Sequence, residues 1–192
     1  MLGTTEEKWI VFLDANVMFK ANVFRFIIGG ALADYYMLRS SEKTIQEARD
    51  ALGRKNRPNA LVALENNIKL IPDFVVRDQD RRVLEYSRVL ESSLIGTEQK
   101  DRHVLVGAIQ AKAKYLVTDN LSDFNISEVQ SYGLEVIGID NFGIKIASTQ
   151  RGLIALSRYI QLTPPDRLKK YLESLKKEIP QTMELILPFF SH

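Results

Sequence analysis

Short apolar runs separated by longer segments of helical periodicity dominate the chain. Four runs rich in Val, Ile, Leu, Tyr and Phe read as strands: Trp9–Leu13, Leu70–Val75, Tyr115–Thr118 and Leu134–Ile137. Between them, Val23, Phe26, Ile27, Gly30, Ala31, Asp34 and Met37 recur at near-helical spacing and predict one long helix from Asn22 to Arg39. A second helix opens at Ser41 as N-cap, with Ile45, Ala48 and Leu52 turned inward. Pro58 marks the start of a third over Asn59–Lys69. Asp78–Ser92 and Glu98–Lys112 carry two more. Short, nearly all-apolar strands alternating with helices imply a mostly parallel sheet covered on both faces. The expected fold is therefore α/β: a three-layer sandwich around a small sheet of four or five strands.

After about Asn141 the pattern contains no clear strand. Leu153, Leu156 and Ile160 share one helical face, and Leu168, Tyr171, Leu172 and Leu175 another, with Pro164, Pro165 and Pro180 as punctuation. Two or three helices ending in the apolar segment Met183–Phe190 are expected. The chain thus divides into a domain over residues 1–142 and a helical extension over 143–192, packed on or beside it. The apolar face of that extension either packs on the domain or serves as a dimer or partner surface.

Composition narrows the classes. The 192 residues are 45% hydrophobic and 26% charged, outside the disordered range. Cysteine is absent, which excludes disulfides, thiol nucleophiles and zinc–thiolate sites. No apolar run is long enough to span a bilayer, and acidic residues precede the first apolar stretch without a cleavage pattern, so a cytoplasmic protein is expected. A net charge of +2 neither proves nor refutes nucleic-acid binding. Local basic runs are ambiguous too: Arg54-Lys55-Asn56-Arg57 is either a phosphate contact or a solvated turn.

The acids are better placed. Asp14 directly follows the first strand, in Ile10-Val-Phe-Leu-Asp-Ala-Asn-Val, and Asp119 follows a later one, in Tyr115-Leu-Val-Thr-Asp-Asn-Leu-Ser-Asp-Phe. Ligands of open parallel sheets bind outside the carboxyl ends of the strands, so two acids there can face one another. Asp123 lies four residues beyond Asp119, and Asp101 opens a helix. Glu47 sits on the Ser41 helix, where Glu42, Asp50 and Glu65 are alternatives. Each acid alone has an ordinary explanation as a cap, a turn residue or a dipole partner. Gathered together they repel and resist desolvation, a cost that a hard divalent cation relieves through oxygen ligands. Such a cation also promotes phosphodiester hydrolysis. His103, two residues after Asp101, points away and is read as structural; Thr118 either supports the site or caps its strand.

Leu-Asp-Ala-Asn-Val after the first strand, an acid on an early helix, Asp-Arg-His-Val-Leu on a central helix and Thr-Asp-Asn-x-x-Asp-Phe after a later strand resemble the PIN-domain ribonuclease family, of the VapC-like toxin type. The resemblance spans Trp9 to Phe142. It implies an RNase H-like sandwich, Mg2+ or Mn2+ as cofactor, and metal-dependent endoribonuclease activity on an RNA substrate. It also implies an antitoxin protein as partner and a homodimer; the lack of a bilayer-length apolar run adds the expectation of no membrane partner. Asp14, Glu47, Asp101 and Asp119 match the family's acidic quartet, Asp123 its common fifth acid and Asn16 its small polar support. Asp14, Asp101 and Asp119 are the expected metal ligands, and the expected products carry 5′-phosphate and 3′-hydroxyl ends. A phosphohydrolase with Asp14 as covalent nucleophile needs a second Asp two residues on, where this chain has Asn16. A PIN-like domain that holds RNA or a partner protein without cutting is the alternative of a different class.

Overall fold

In a computed structural model, residues 8–76 and 81–190 are described, apart from the side chains of residues 81–84, 158 and 159. Five parallel strands form one sheet: β1 (Trp9–Leu13), β2 (Tyr36–Ser41), β3 (Val75–Val76), β4 (Tyr115–Val117) and β5 (Glu135–Ile137), in the order β3-β2-β1-β4-β5. Between β1 and β2 lie α1 (Ala15–Met18) and α2 (Ala21–Leu32), and between β2 and β3 lie α3 (Glu42–Arg54) and α4 (Pro58–Lys69). Helices α5 (Arg81–Ser93) and α6 (Arg102–Gln110) precede β4, and α7 (Ile126–Ser131) precedes β5. Then come α8 (Ile139–Ala147), α9 (Gln150–Gln161), α10 (Pro165–Glu178) and α11 (Pro180–Ile186). No helix among the described residues is long and apolar enough to cross a membrane.

Strand β1 is central and its Val11, Phe12 and Leu13 are fully buried, as a strand covered on both faces requires. Because side chains alternate along a strand, Val11 and Leu13 enter one apolar cluster and Phe12 the other. The first cluster joins the sheet to α1–α4 and to α8–α11, through residues such as Leu156, Leu175 and Met183. The second joins it to α5, α6 and α7 through Leu90, Leu105 and Val129.

The single long helix expected over 22–39 is two elements. Helix α2 stops at Leu32, the chain reverses with Asp34 at φ 61°, and Tyr36–Ser41 pairs with β1 as an inner strand. Tyr36, Leu38 and Ser40 are buried while Met37, Arg39 and Ser41 are partly exposed, the period-two pattern of a strand. Met37 fell into helical phase by coincidence, and Asp34, a short polar residue able to adopt a left-handed backbone, was the missed break. The fit is close: Tyr36 donates its hydroxyl to Ile27 O at 2.5 Å, and a Cβ on Gly30 would come within 2.5 Å of that hydroxyl.

The expected strand Leu70–Val75 also shifts. Helix α4 is capped at Leu70, Asp73 turns the chain at φ 53°, and among the described residues of this run Val75–Val76 pairs, at the edge of the sheet. Ser41 accepts from Thr44 N–H as N-cap of α3 and Pro58 opens α4, as expected, whereas the helix expected from Glu98 starts a turn later, at Arg102. The expected start of a helix at Asp78 lies outside the described residues; α5 runs from Arg81.

Candidate metal centre

The strand order reverses at β1: the chain builds β2 and β3 to one side and then returns to place β4 on the other. A crevice forms at such a switch point, outside the carboxyl ends of the two inner strands. Asp14 leaves β1 here, and Thr118 and Asp119 leave β4. The two ends are fastened together by Asp14 N–H donating to Val117 O at 3.1 Å.

Side chains tighten the junction. Asp14 is the N-cap of α1, its Oδ1 accepting from Ala15 N–H at 2.6 Å. Its Oδ2 accepts from the Thr118 hydroxyl at 2.7 Å and from Asn16 Nδ2 at 2.8 Å. Thr118 Oγ1 in turn accepts from Asn16 Nδ2 at 2.9 Å and from Asn120 N–H at 3.1 Å, and Asn16 Oδ1 accepts from Asp119 N–H at 3.2 Å. Asn16 and Thr118 thus fix the first acid and the backbone that carries the next. Burial pushes the Asp14 carboxyl above its usual range; the bonds from Thr118 and Ala15 oppose that, and the charge of Glu47 adds to it.

Glu47 reaches the same crevice from α3. Its alternatives do not: Arg49 holds Glu42 at 2.9 Å and Glu65 at 2.7 Å, and Asp50 accepts from Gln46. Glu47 Oε1 lies 3.1 Å from His103 Nε2, yet neither nitrogen of this buried imidazole has a well-directed hydrogen bond. His103 lines a separate cavity of about 610 Å3 beside Ser41, Glu91 and Gln110.

Asp101 stands at the start of α6 but makes no side-chain cap bond. Its Oδ2 is buried without a hydrogen-bond partner, with Lys100 Nζ no nearer than 3.7 Å. Burial pushes this carboxyl up to about 6; Lys100 works against the rise, and Asp123 and Asp14 add to it. Asp123, on the 3-10 turn Leu121–Asp123, accepts Glu98 N–H on its backbone carbonyl at 3.0 Å, which ties the loop before α6 to this turn. Glu128 of α7 anchors the loop further by accepting from Gly96 N–H and the Thr97 hydroxyl. As a result Glu98, Asp101 and Asp123 offer carboxylate oxygens that all lie within 4.8 Å of one another and could hold a metal ion. Lys100 stands beside them, 3.2 Å from Glu98 and 3.3 Å from Asp123.

Asp119 is turned toward Lys20, whose Nζ is 2.6 Å from its Oδ2 and 2.8 Å from Glu178 Oε2 at the end of α10. Burial works to lower the pKa of Lys20, but the hydrogen bonds to Asp119 and Glu178 outweigh it and hold the ammonium above its usual range. Asp14, Asn16, Glu47, Asp101 and Asp119 line one open cleft of about 720 Å3, which Lys20, Lys100, Arg54 and Lys55 share. Asp123 adjoins it through Asp101 and Lys100.

The structure gathers Asp14, Glu47, Asp101, Asp119 and Asp123 around the switch point, but divides them. Asp101 and Asp123 cluster with Glu98; Asp14 is locked by its neighbours; Asp119 is paired with a lysine. Glu98, Lys20, Lys100 and Glu178 escaped the sequence reading. Glu98 is read from the sequence only as the first residue of the helix over 98–112, whereas in the structure it lies in the loop before α6. The donor set is all oxygen, as a hard divalent cation prefers, and the unpartnered Asp101 oxygen is an atom that such a cation would satisfy. No family model, curated protein or solved structure matches the chain.

Proposed function

We infer that the chain is a Mg2+- or Mn2+-dependent endoribonuclease of PIN-like type that hydrolyses RNA phosphodiester bonds. The observation that carries this reading is the acid-lined cleft at the β1/β4 switch point, with a buried carboxylate oxygen of Asp101 that has no hydrogen-bond partner and only Lys100, at 3.7 Å, beside it. A carboxylate oxygen buried without a hydrogen bond is costly, and a cation or a proton relieves that cost. Glu98, Asp101 and Asp123 would hold the cation, with Asp14, Glu47 and Asp119 along the adjoining wall. When bound, the ion supplies Lewis acidity toward a phosphodiester oxygen and lowers the pKa of water in the cleft.

The chain's own residues do the rest. Asn16 and Thr118 keep Asp14 in a single orientation, so its carboxylate meets a substrate without reorganising. Glu47, partly exposed and beside His103, is placed to accept a proton from an attacking water. Lys20 and Lys100 offset the repulsion between the acids and an approaching phosphate. Hydrolysis by water leaves 5′-phosphate and 3′-hydroxyl ends. The toxin role and the antitoxin partner are part of the same proposal and rest on the resemblance alone.

A second reading has an observation of its own: Lys100 already stands against all three acids of the cluster, as a built-in counter-ion would in a domain that binds RNA or protein without cutting. One experiment separates the two. End-labelled RNAs and single-stranded DNAs are incubated with Mn2+, Mg2+ or EDTA and with wild type or Asp14→Asn. Metal-dependent cleavage lost in the variant supports the nuclease. Products ending in 2′,3′-cyclic phosphate refute hydrolysis by water, and RNA binding without cleavage in either metal favours the silent module.

A further inference from the structure

Lys20 is where the C-terminal helices meet the acid cleft. It stands at the boundary between α1 and α2, and its Nζ bridges Asp119 on one side and Glu178 on the other, at 2.6 and 2.8 Å. Glu178 ends α10, and α10 is docked by contacts that do not involve this bridge. Tyr171 and Leu175 are buried in the main core, Asn22 Nδ2 donates to Ser174 Oγ at 2.9 Å, and Tyr171 donates its hydroxyl to Asn22 O at 3.3 Å. The position of Glu178 is thus set by helix packing, and Lys20 is held between two carboxylates rather than left to sweep through solvent.

An ammonium has three donors, and the two carboxylates engage two of them. Lys20 lines the cleft, so its remaining donor is available to an anionic group that enters there. Its side chain is 29% exposed, which leaves its charge less screened than that of a free surface lysine. Lys100 is 65% exposed and already faces the three clustered acids. The acids of the cleft would repel a phosphodiester; a fixed lysine beside Asp119 offsets this at a defined place.

The geometry points to Lys20 as the residue that binds a non-bridging oxygen of the phosphodiester, with Glu178 of α10 as the positioning residue that holds it there. The C-terminal helices thereby complete the cleft instead of merely covering the core. This deepens the nuclease reading and rests on it.

The test compares Lys20→Gln, Lys20→Arg, Glu178→Gln and the double variant Lys20→Gln/Glu178→Gln. Urea unfolding first establishes that each is folded. A single-stranded RNA oligonucleotide is then titrated in EDTA at several salt concentrations, and cleavage is followed in Mn2+. Lys20→Gln reduces the steepness of log affinity against log salt by about 0.7, the single-strand value for one phosphate contact, and Lys20→Arg, which keeps the charge, does not. Lys20→Gln lowers kcat by about 100- to 1000-fold, the scale of removing one preorganised donor to developing charge. Glu178→Gln lowers kcat about tenfold with KM nearly unchanged, and costs nothing more once Lys20 is Gln.

A Lys20→Gln enzyme with kcat within about twofold of wild type, when Asp14→Asn is dead, overturns the proposal and leaves the nuclease reading standing. A Glu178→Gln loss that persists undiminished in the Lys20→Gln background overturns the positioning role, because Glu178 then acts other than through Lys20. Wild type that neither cleaves RNA nor binds Mn2+ removes the nuclease reading, and this proposal with it.

Discussion

Replacing Asp101 by Asn should make the metal-free protein more stable at neutral pH and less stable relative to wild type once metal is added. The Asp101 carboxyl is raised from 3.8 to about 6 in the folded state, first by burial. Between those two values the folded protein binds more protons than the unfolded chain, so stability falls as pH rises through that window. The stability that protonated Asp101 contributes is complete below pH 3.8 and is lost above about 6. A shift of this size corresponds to about 3 kcal/mol, and the access of water to the cleft reduces it to about 1–2 kcal/mol. Asparagine carries no charge, retains the shape, and offers an amide donor to the acids of Glu98 and Asp123. In EDTA at pH 8 the variant should therefore gain about 1–2 kcal/mol in urea unfolding, or about 2–8 °C in Tm for a chain of this size. At pH 4 the gain should shrink toward zero. Saturating Mn2+ should reverse the order, because the ion stabilises only the native state that binds it well. A variant less stable than wild type in EDTA at pH 8, or a difference independent of pH, would falsify the claim that Asp101 is a strained carboxylate.

Other perturbations test the support around the cleft and the fold beneath it. Thr118→Val removes the hydroxyl that donates to Asp14 and accepts from Asn16 and Asn120; it should cost about 1–3 kcal/mol in urea unfolding, and Thr118→Ser should restore most of it. Gly30→Ala drives a methyl group against the Tyr36 hydroxyl and should destabilise by about 1–3 kcal/mol; thermal stability equal to wild type would show that the contact is not tight. Leu175→Ala opens a cavity beneath α10 and should cost about 2–5 kcal/mol by the same assay. Deleting residues 162–192 uncovers the apolar cluster shared by α2, α9 and the sheet and should give an aggregating chain; a soluble, cooperatively folded product would show that α10 and α11 are separable.

Much of the cleft was legible because its first members lie directly after strands. Trp9–Leu13 and Tyr115–Val117 are apolar runs, and Asp14 and Asp119 mark the points where apolar character ends, so local pattern alone places them at strand ends. Ser41 and Pro58 likewise announce their helices through backbone chemistry that acts within one turn. Strand β2 was not legible, because apolar positions at 23, 26, 27, 31 and 37 satisfy a helical period until tertiary pairing with β1 chooses the other one.

An α/β chain with carboxylates poised at strand ends follows from burial periodicity and capping, which are local properties of the sequence. Which charges meet depends instead on how the elements pack. Glu98 joins Asp101 and Asp123 because Glu128 and the Asp123 carbonyl hold its loop, and Lys20 is shared by Asp119 and Glu178 because α10 docks on α2. Those partners are separated by up to 158 residues along the chain (from Lys20 to Glu178), and Coulomb interactions depend on distance in space, which no local pattern encodes.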